Sequence, residues 1–322
     1  MSRFIRAKRM RKPGGLTVVL LAYVCLFMQS SIVSSILGAE PNEKLKHLLL
    51  ITDSGGFIHD SVGVAEDILK ELGPKNGFDV TCFRFTRDPK QVMKYKQRVK
   101  GKETVIEKSV LEKYSEEFRA RTGKTVEKEN CGRVNAETLK KFDAVLFFTT
   151  GNPLTKEEVN DLTAWVKNGG AFAGTHCATD TLYGATAYGD LVGAYFLKHP
   201  WHQKVKIKVE DPNHPAGSAF SGDPIITDEI YEFRPAPYSR SKLHIIYSID
   251  PSSIDLSRGN RSDKDYAVSW CHEYGKGKAF YTSLGHRREV WKDPRFQAHL
   301  IGGLQWAMGM KQGSATPSSP SK

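Results

Sequence analysis

Three histidines stand at places where an apolar run ends and the chain turns. His59 follows Asp53-Ser54-Gly55-Gly56-Phe57-Ile58, His176 lies in Gly174-Thr175-His176-Cys177-Ala178, and His286 ends Ser283-Leu284-Gly285-His286. Neutral imidazole can ligate a metal ion, and its pKa near ~6.5 also suits proton transfer at neutral pH. One histidine at a strand end is ordinarily a structural hydrogen-bonder. Three on one sheet rim predict a shared site, with His59, His176 and His286 as the catalytic set. The stretch His199-Pro200-Trp201-His202 adds two imidazoles in a predicted loop, and Asp228 and Glu229 offer carboxylates at the rim.

A divalent metal, zinc for example, would need three or four N/O ligands at ~2.0–2.2 Å. His59, His176, His199 and His286 are the candidates. The HExxH spacing that would set two ligands on one helix is absent, so no cofactor is certain. No GxGxxG follows a strand, which argues against a bound nicotinamide. Cys177 would be a nucleophile if it sat at the apex of a strand-to-helix turn. The apex falls on His176 instead, and a shift of one residue swings the thiol away, so Cys177 is expected to pack under the turn.

The elements that must position these residues alternate. Leu45–Thr52 is a continuous apolar run, as for a strand buried on both faces. Asp60 or Ser61 is placed to cap a helix reaching about Leu72, where Gly73-Pro74 stops it. Strands are predicted at Phe78–Phe85, Ala144–Thr150 and Ala171–Thr175. A helix capped by Thr155 lies between the last two and ends at Asn168-Gly169-Gly170. Strands alternating with helices imply a parallel, doubly wound sheet with right-handed crossovers. The second half reads as antiparallel additions at one edge, with strands near Val205–Val209, Leu243–Ile249, Ala267–Cys271 and Ala279–Leu284. A closing helix spans Pro294–Met308, with Phe296, Leu300, Leu304 and Met308 at helical spacing. In open parallel sheets ligands bind beyond the carboxyl ends of the strands, where the three histidines fall.

Composition narrows the function classes. The chain has 39% hydrophobic and 10% aromatic residues, which excludes a disordered or polytopic membrane protein. Of 47 Lys and Arg, six lie in residues 1–39, which hold no acid, so much of the net charge of +11 is terminal. Arg87–Lys141 holds 16 basic and nine acidic residues. The remainder is close to neutral, which argues against a nucleic-acid partner. Residues 1–39 read as an export signal, a basic stretch followed by the apolar run Leu16–Met28, too short to span a bilayer. A membrane association is expected only if that signal is uncleaved. The mature chain would then be periplasmic or extracellular, with one domain over residues 40–312 and a disordered tail over residues 313–322. Residues 87–135 form a charged inserted segment, in which Val110, Leu111, Tyr114 and Phe118 make one apolar helix face. Four cysteines remain after export, of which Cys82 and Cys131 could close the insert.

Several stretches together carry a family resemblance: Gly56-Phe57-Ile58-His59-Asp60, Asn168-Gly169-Gly170 through His176, His199-Pro200, Asp211-Pro212-Asn213-His214-Pro215, Asp228-Glu229-Ile230-Tyr231, and Gly277 through Gly285-His286. From about Leu45 to Gly309 the chain resembles the ThuA-like (trehalose utilisation) proteins. The resemblance implies a flavodoxin-like fold of the class I glutamine amidotransferase type. It also implies that His176 stands where those enzymes carry their nucleophilic cysteine, so that glutaminase activity is absent. Cys177 departs from the small residue expected beside it. The family's association is with disaccharide catabolism through keto-sugars, which makes a small sugar the expected partner. Asp53, His199, His202, Asp228, Glu229, Tyr231 and Trp291 are then the expected substrate-binding set, with Tyr183, Trp201, Tyr231 and Trp291 available to stack on a sugar face. Three activities fit: a keto-sugar isomerase or lyase/hydrolase, a non-catalytic carbohydrate-binding protein, and a Cys177-dependent amidohydrolase or amidotransferase.

Overall fold

The computed structural model describes residues 44–99 and 101–319, so the expected export signal lies outside the described residues. Among the described residues no helix is long and apolar enough to cross a membrane. The elements run β1 (Lys46–Ile51), α1 (Val62–Leu72), β2 (Phe78–Phe83), β3 (Val92–Val99), β4 (Lys102–Ser109), α2 (Val110–Thr122), α3 (Ala136–Leu139), β5 (Ala144–Phe147), α4 (Lys156–Lys167), β6 (Ala171–Thr175) and α5 (Thr186–Val192). They continue as β7 (Phe196–Val209), β8 (Ile225–Phe233), β9 (His244–Ile249), β10 (Ala267–Tyr274), β11 (Gly277–Thr282), α6 (Arg288–Lys292) and α7 (Pro294–Ala307).

One nine-stranded sheet has the order β2-β1-β5-β6-β11-β10-β9-β7-β8. The first five are mutually parallel, and the pairs from β11 through β8 are antiparallel. Because side chains alternate along a strand, β1 feeds two cores. Leu48 and Leu50 pack with Ala65, Leu69, Phe296 and Leu300 of α1 and α7. Leu49 and Ile51 pack on the opposite face with Val159, Leu162, Tyr188 and Leu191 of α4 and α5. The fold is therefore the expected mixed α/β architecture, mostly parallel with antiparallel additions.

Helix starts follow local chemistry. Thr155 and Glu158 form a reciprocal capping box on α4. Thr155→Ala is expected to cost about 1 kcal/mol, read as a lower urea midpoint at unchanged slope. Ser61 precedes α1 but spends its hydroxyl elsewhere, donating to the Gly285 carbonyl at 3.1 Å.

The inserted segment is a β3/β4 hairpin followed by α2. Val110, Tyr114 and Phe118 are buried, and Leu111 is half-buried. Tyr114 ties the segment to the end of β1, donating to the Thr52 carbonyl at 3.2 Å and accepting from the Ser54 N–H at 3.1 Å.

Four expectations need correction, the first being that β11 is not an antiparallel edge addition but pairs parallel with β6 inside the sheet. Cys82 and Cys131 are both free thiols, so the insert is anchored without a disulfide. His199–His202 lies on β7, not in a loop, because β7 runs 14 residues and pairs with a strand, β8, that shows no period-2 pattern in sequence. Register shifts flank Lys198 on this strand, just before Pro200, which cannot donate to a ladder. Residues 313–319 are docked, not free: Ser318 donates its N–H to the Leu243 carbonyl at 2.9 Å, and the Thr316 carbonyl faces His244 Nδ1 at 2.6 Å. Backbone groups left over beside β9 give that tail its partners.

One buried histidine makes folding acid-sensitive. His299 on α7 has no exposed surface, donates Nδ1–H to the Ala216 carbonyl at 2.7 Å, and is pushed down to about 4 by burial. With the folded value below the unfolded ~6.5, stability is full above pH ~6.5 and falls as the pH drops towards ~4, by about 3 kcal/mol from this group. Unfolding midpoints measured across that window are expected to drop, and to drop less steeply in His299→Leu.

Candidate functional site

The carboxyl ends of β1, β6 and β11 each deliver one histidine to the same place. His59 arrives on the loop after β1, His176 directly after β6, and His286 four residues after β11. Their ring centroids are 4.8 Å (His59–His176), 5.1 Å (His176–His286) and 5.2 Å (His59–His286) apart. Glu229 and Tyr231 on β8 complete the group, and their spacing of two puts both on one face of the strand. His59, His176, Glu229 and His286 each offer one ligand atom, all within 4.8 Å of one another.

His176 is held in a costly conformation. Its φ of 45° is in the left-handed region, which a non-glycine residue adopts only when its surroundings impose it. Two contacts impose it: Nδ1 sits 2.9 Å from the Ser283 carbonyl, and the His176 carbonyl accepts from Tyr281 Oη at 2.6 Å. A carbonyl can only accept, so Nδ1 carries the proton and Nε2 turns its lone pair into the cluster. There Nε2 meets Tyr231 Oη at 3.0 Å, His286 Nδ1 at 3.2 Å and Glu229 Oε2 at 3.4 Å. Glu229 Oε2 is 3.1 Å from His286 Nδ1, and its Oε1 is 3.4 Å from His199 Nδ1.

The electrostatics follow from burial and mutual proximity. Burial, then the neighbouring His176 and His286, push His59 down to about 2, so its ring is neutral. Burial would raise Glu229, but its close contacts with the His176 and His286 rings outweigh it and hold the carboxyl well below its ordinary range. Burial would lower His286, but the bond and charge of Glu229 raise it. His202 is lowered by burial and then by His286, whose ring lies 4.9 Å away.

Other expected site residues fall into three groups. His199 and His202 stay at the rim; the His199 side chain is 57% exposed, and His202 Nε2 accepts from Arg287 Nε at 3.3 Å. Asp228 points to the other face of β8 and is fully buried. It accepts from the Gly285 N–H at 2.7 Å and the Arg287 N–H at 3.1 Å, so it shapes the turn that carries His286 and cannot bind substrate. Asp53 is also fully buried, bound by Arg87 Nη2 at 2.8 Å and the Thr86 N–H at 2.9 Å, where it anchors the inserted segment. Trp291 is fully buried against Phe148 and donates to the Gly285 carbonyl at 2.9 Å, which leaves no ring face for a sugar. Trp201 is likewise buried. Cys177 has no exposed surface, and burial pushes its thiol far up, so it does not act as a thiolate nucleophile.

Sequence reasoning missed the positioning contacts of Ser283 and Tyr281, and it missed Phe57. Phe57 is 52% exposed, lies 4.9 Å from His59 ring to ring, and is covered by Arg121 at 4.6 Å. An aromatic residue directly after a glycine pair and two positions before His59 was the available signal. A cavity of about 500 Å³ lined by Phe57, Ile58, Glu117 and Arg121 adjoins this corner. A larger cavity of about 690 Å³ is lined by Lys208, Glu210, Arg240, Asp265 and others, whose charges pair with one another, and contains none of the clustered histidines.

This architecture defines a doubly wound α/β protein whose polar centre, at the carboxyl edge of its sheet, is built on imidazoles and one carboxylate. The sequence profile of the ThuA family, described as trehalose utilisation, matches residues 47–307, and the chain belongs to that family. Its fold is similar to that of a ThuA-like protein from Bacteroides uniformis, at 18% identity and a TM-score of 0.54, covering 86% of this chain and 96% of that one. A second ThuA-like structure, from Parabacteroides merdae, aligns at 16% identity and a TM-score of 0.54, covering 85% and 95%. No curated protein matches the sequence. Family membership supports a carbohydrate-related role.

Proposed function

We propose that this protein is exported and acts on a keto-sugar in disaccharide catabolism, removing the proton next to the sugar's carbonyl. The observation that carries this reading is the Glu229 carboxylate, set between an exposed imidazole on one oxygen and two clustered imidazoles on the other. Through Oε1, Glu229 orients His199 with Nδ1 inward, leaving its Nε2 lone pair towards solvent as the base. The base takes the proton, the bonding pair moves onto the carbonyl oxygen, and the donors and charge of the cluster stabilise that oxygen. Returning the proton to the former carbonyl carbon, while the α-hydroxyl passes its own proton to the former carbonyl oxygen, completes an isomerisation. Expelling the substituent one carbon further completes a lyase reaction. A purely binding role is less well supported, because Trp291 and Trp201 offer no open face for stacking.

The test is incubation with native and 3-keto disaccharides in D₂O, following deuterium incorporation and product by mass spectrometry. Exchange beside the carbonyl of a keto-sugar is expected, slowed about 10²–10⁴-fold in His199→Gln. No exchange and no product with any keto-sugar would overturn the reading.

A further inference from the structure

We infer that His59, His176, Glu229 and His286 form a binding site for one first-row divalent metal ion, of which zinc is the representative. The argument needs no substrate and starts from proton bookkeeping. His176 Nδ1 is committed to the Ser283 carbonyl, so Nε2 is a lone pair. It accepts from Tyr231 Oη at 3.0 Å and also faces the Glu229 carboxylate oxygen at 3.4 Å, with no proton between that imidazole nitrogen and the carboxylate. His286 Nδ1, at 3.2 Å from one and 3.1 Å from the other, can supply a single N–H to this pair of acceptors. His59 adds a third imidazole, 94% buried, whose Nδ1 has no hydrogen-bond partner among the described residues. A buried polar group left unpaired costs free energy, and so do lone pairs that face one another. A cation removes both costs at once.

The spacing supports the same conclusion. Ligands at ~2.0–2.2 Å around a tetrahedral ion lie ~3.3–3.6 Å apart. The contacts among His176, Glu229 and His286 are 3.1 to 3.4 Å. The widest separation within the group, at most 4.8 Å, exceeds a tetrahedral edge by about 1.2–1.5 Å, which rotation of the side chains onto the ion would have to close. The surroundings have the form found around metal ligands, in which the second nitrogen of a histidine is tied to a backbone carbonyl. Three imidazoles and one carboxylate suit zinc, manganese, iron, cobalt or nickel, whereas calcium and magnesium favour an all-oxygen shell. The other histidine cluster differs. His244 is paired with Asp211 and with the Thr316 carbonyl, and His214 is in contact with Cys271, so no lone pairs converge there.

The experiment uses the full protein, stripped with a chelator and then titrated with zinc alone, with bound metal counted by mass spectrometry. Cobalt is a second probe whose visible spectrum reports nitrogen and oxygen ligands. One ion per chain is expected in the wild type, with a raised melting temperature. Glu229→Gln keeps the shape of a buried side chain and His286→Ala removes a ring that is a quarter exposed, so both should fold, and each is expected to weaken uptake at least about 100-fold, beyond the loss typical of a mere supporting residue. His244→Ala should bind as the wild type does. Absence of stoichiometric uptake by folded wild type, or uptake unchanged in both Glu229→Gln and His286→Ala, would overturn the site. Because metal is counted without sugar, a failure here leaves the keto-sugar assay to stand or fall separately.

Discussion

His176→Asn is expected to lose turnover of a keto-sugar about 10²–10⁴-fold while the protein still folds. Asparagine tolerates the left-handed backbone that this position imposes, so the φ of 45° need not be relaxed. What disappears is the imidazole Nε2, on which Tyr231, His286 and Glu229 converge. The loss should therefore fall on kcat, since the fully buried His176 does not reach the open rim. His176→Ala removes the same nitrogen but also forfeits the contact to Ser283 and leaves a cavity, so its melting temperature should fall further at a similar rate loss. Steady-state kinetics and thermal unfolding on both variants separate the two effects. An unchanged kcat in His176→Asn would remove the cluster from the chemistry.

Glu66→Ala is expected to destabilise the fold by about 3–5 kcal/mol without touching the site. Glu66 on α1 is 1% exposed and holds Arg84 Nη2 at 2.6 Å, and the same guanidinium donates to Asn130 Oδ1 at 2.8 Å. Removing the carboxylate leaves an arginine charge buried with only neutral acceptors. Burial works against that charge, and the bond to Glu66 is the first force offsetting it. The double variant Glu66→Met/Arg84→Met should recover much of the loss, because the cost lies in the unpaired charge more than in the missing pair. Chemical denaturation of the three proteins reads this directly. A loss below about 1 kcal/mol in Glu66→Ala would show the pair to be solvated.

Much of this architecture is visible in one dimension. The run Leu45–Thr52, the cap at Thr155 and the Gly169-Gly170 stop are local signals, and each falls within about one residue of an element boundary in the structure. The strand carrying Glu229 was not, since Asp228, Glu229 and Glu232 on β8 read as polar although all three are buried. Their burial is made tolerable by partners from distant segments: Gly285 and Arg287 for Asp228, His176 and His286 for Glu229, Asn260 for Glu232. Asp53 and Trp291 were misjudged for the same reason. Each is a residue type that suits sugar binding, and each is used inside the protein by a partner far along the chain.

Residue order alone determined four of the five parallel strands, the helix ends and which histidines stand at strand tips, because periodicity, capping and turn chemistry act over a few residues. Tertiary structure decided that three of those tips are neighbours, that Glu229 joins them, and that Asp228, Asp53 and Trp291 serve the scaffold. Those outcomes depend on sheet order and on contacts between residues that are tens to hundreds of positions apart, for which no local pattern exists.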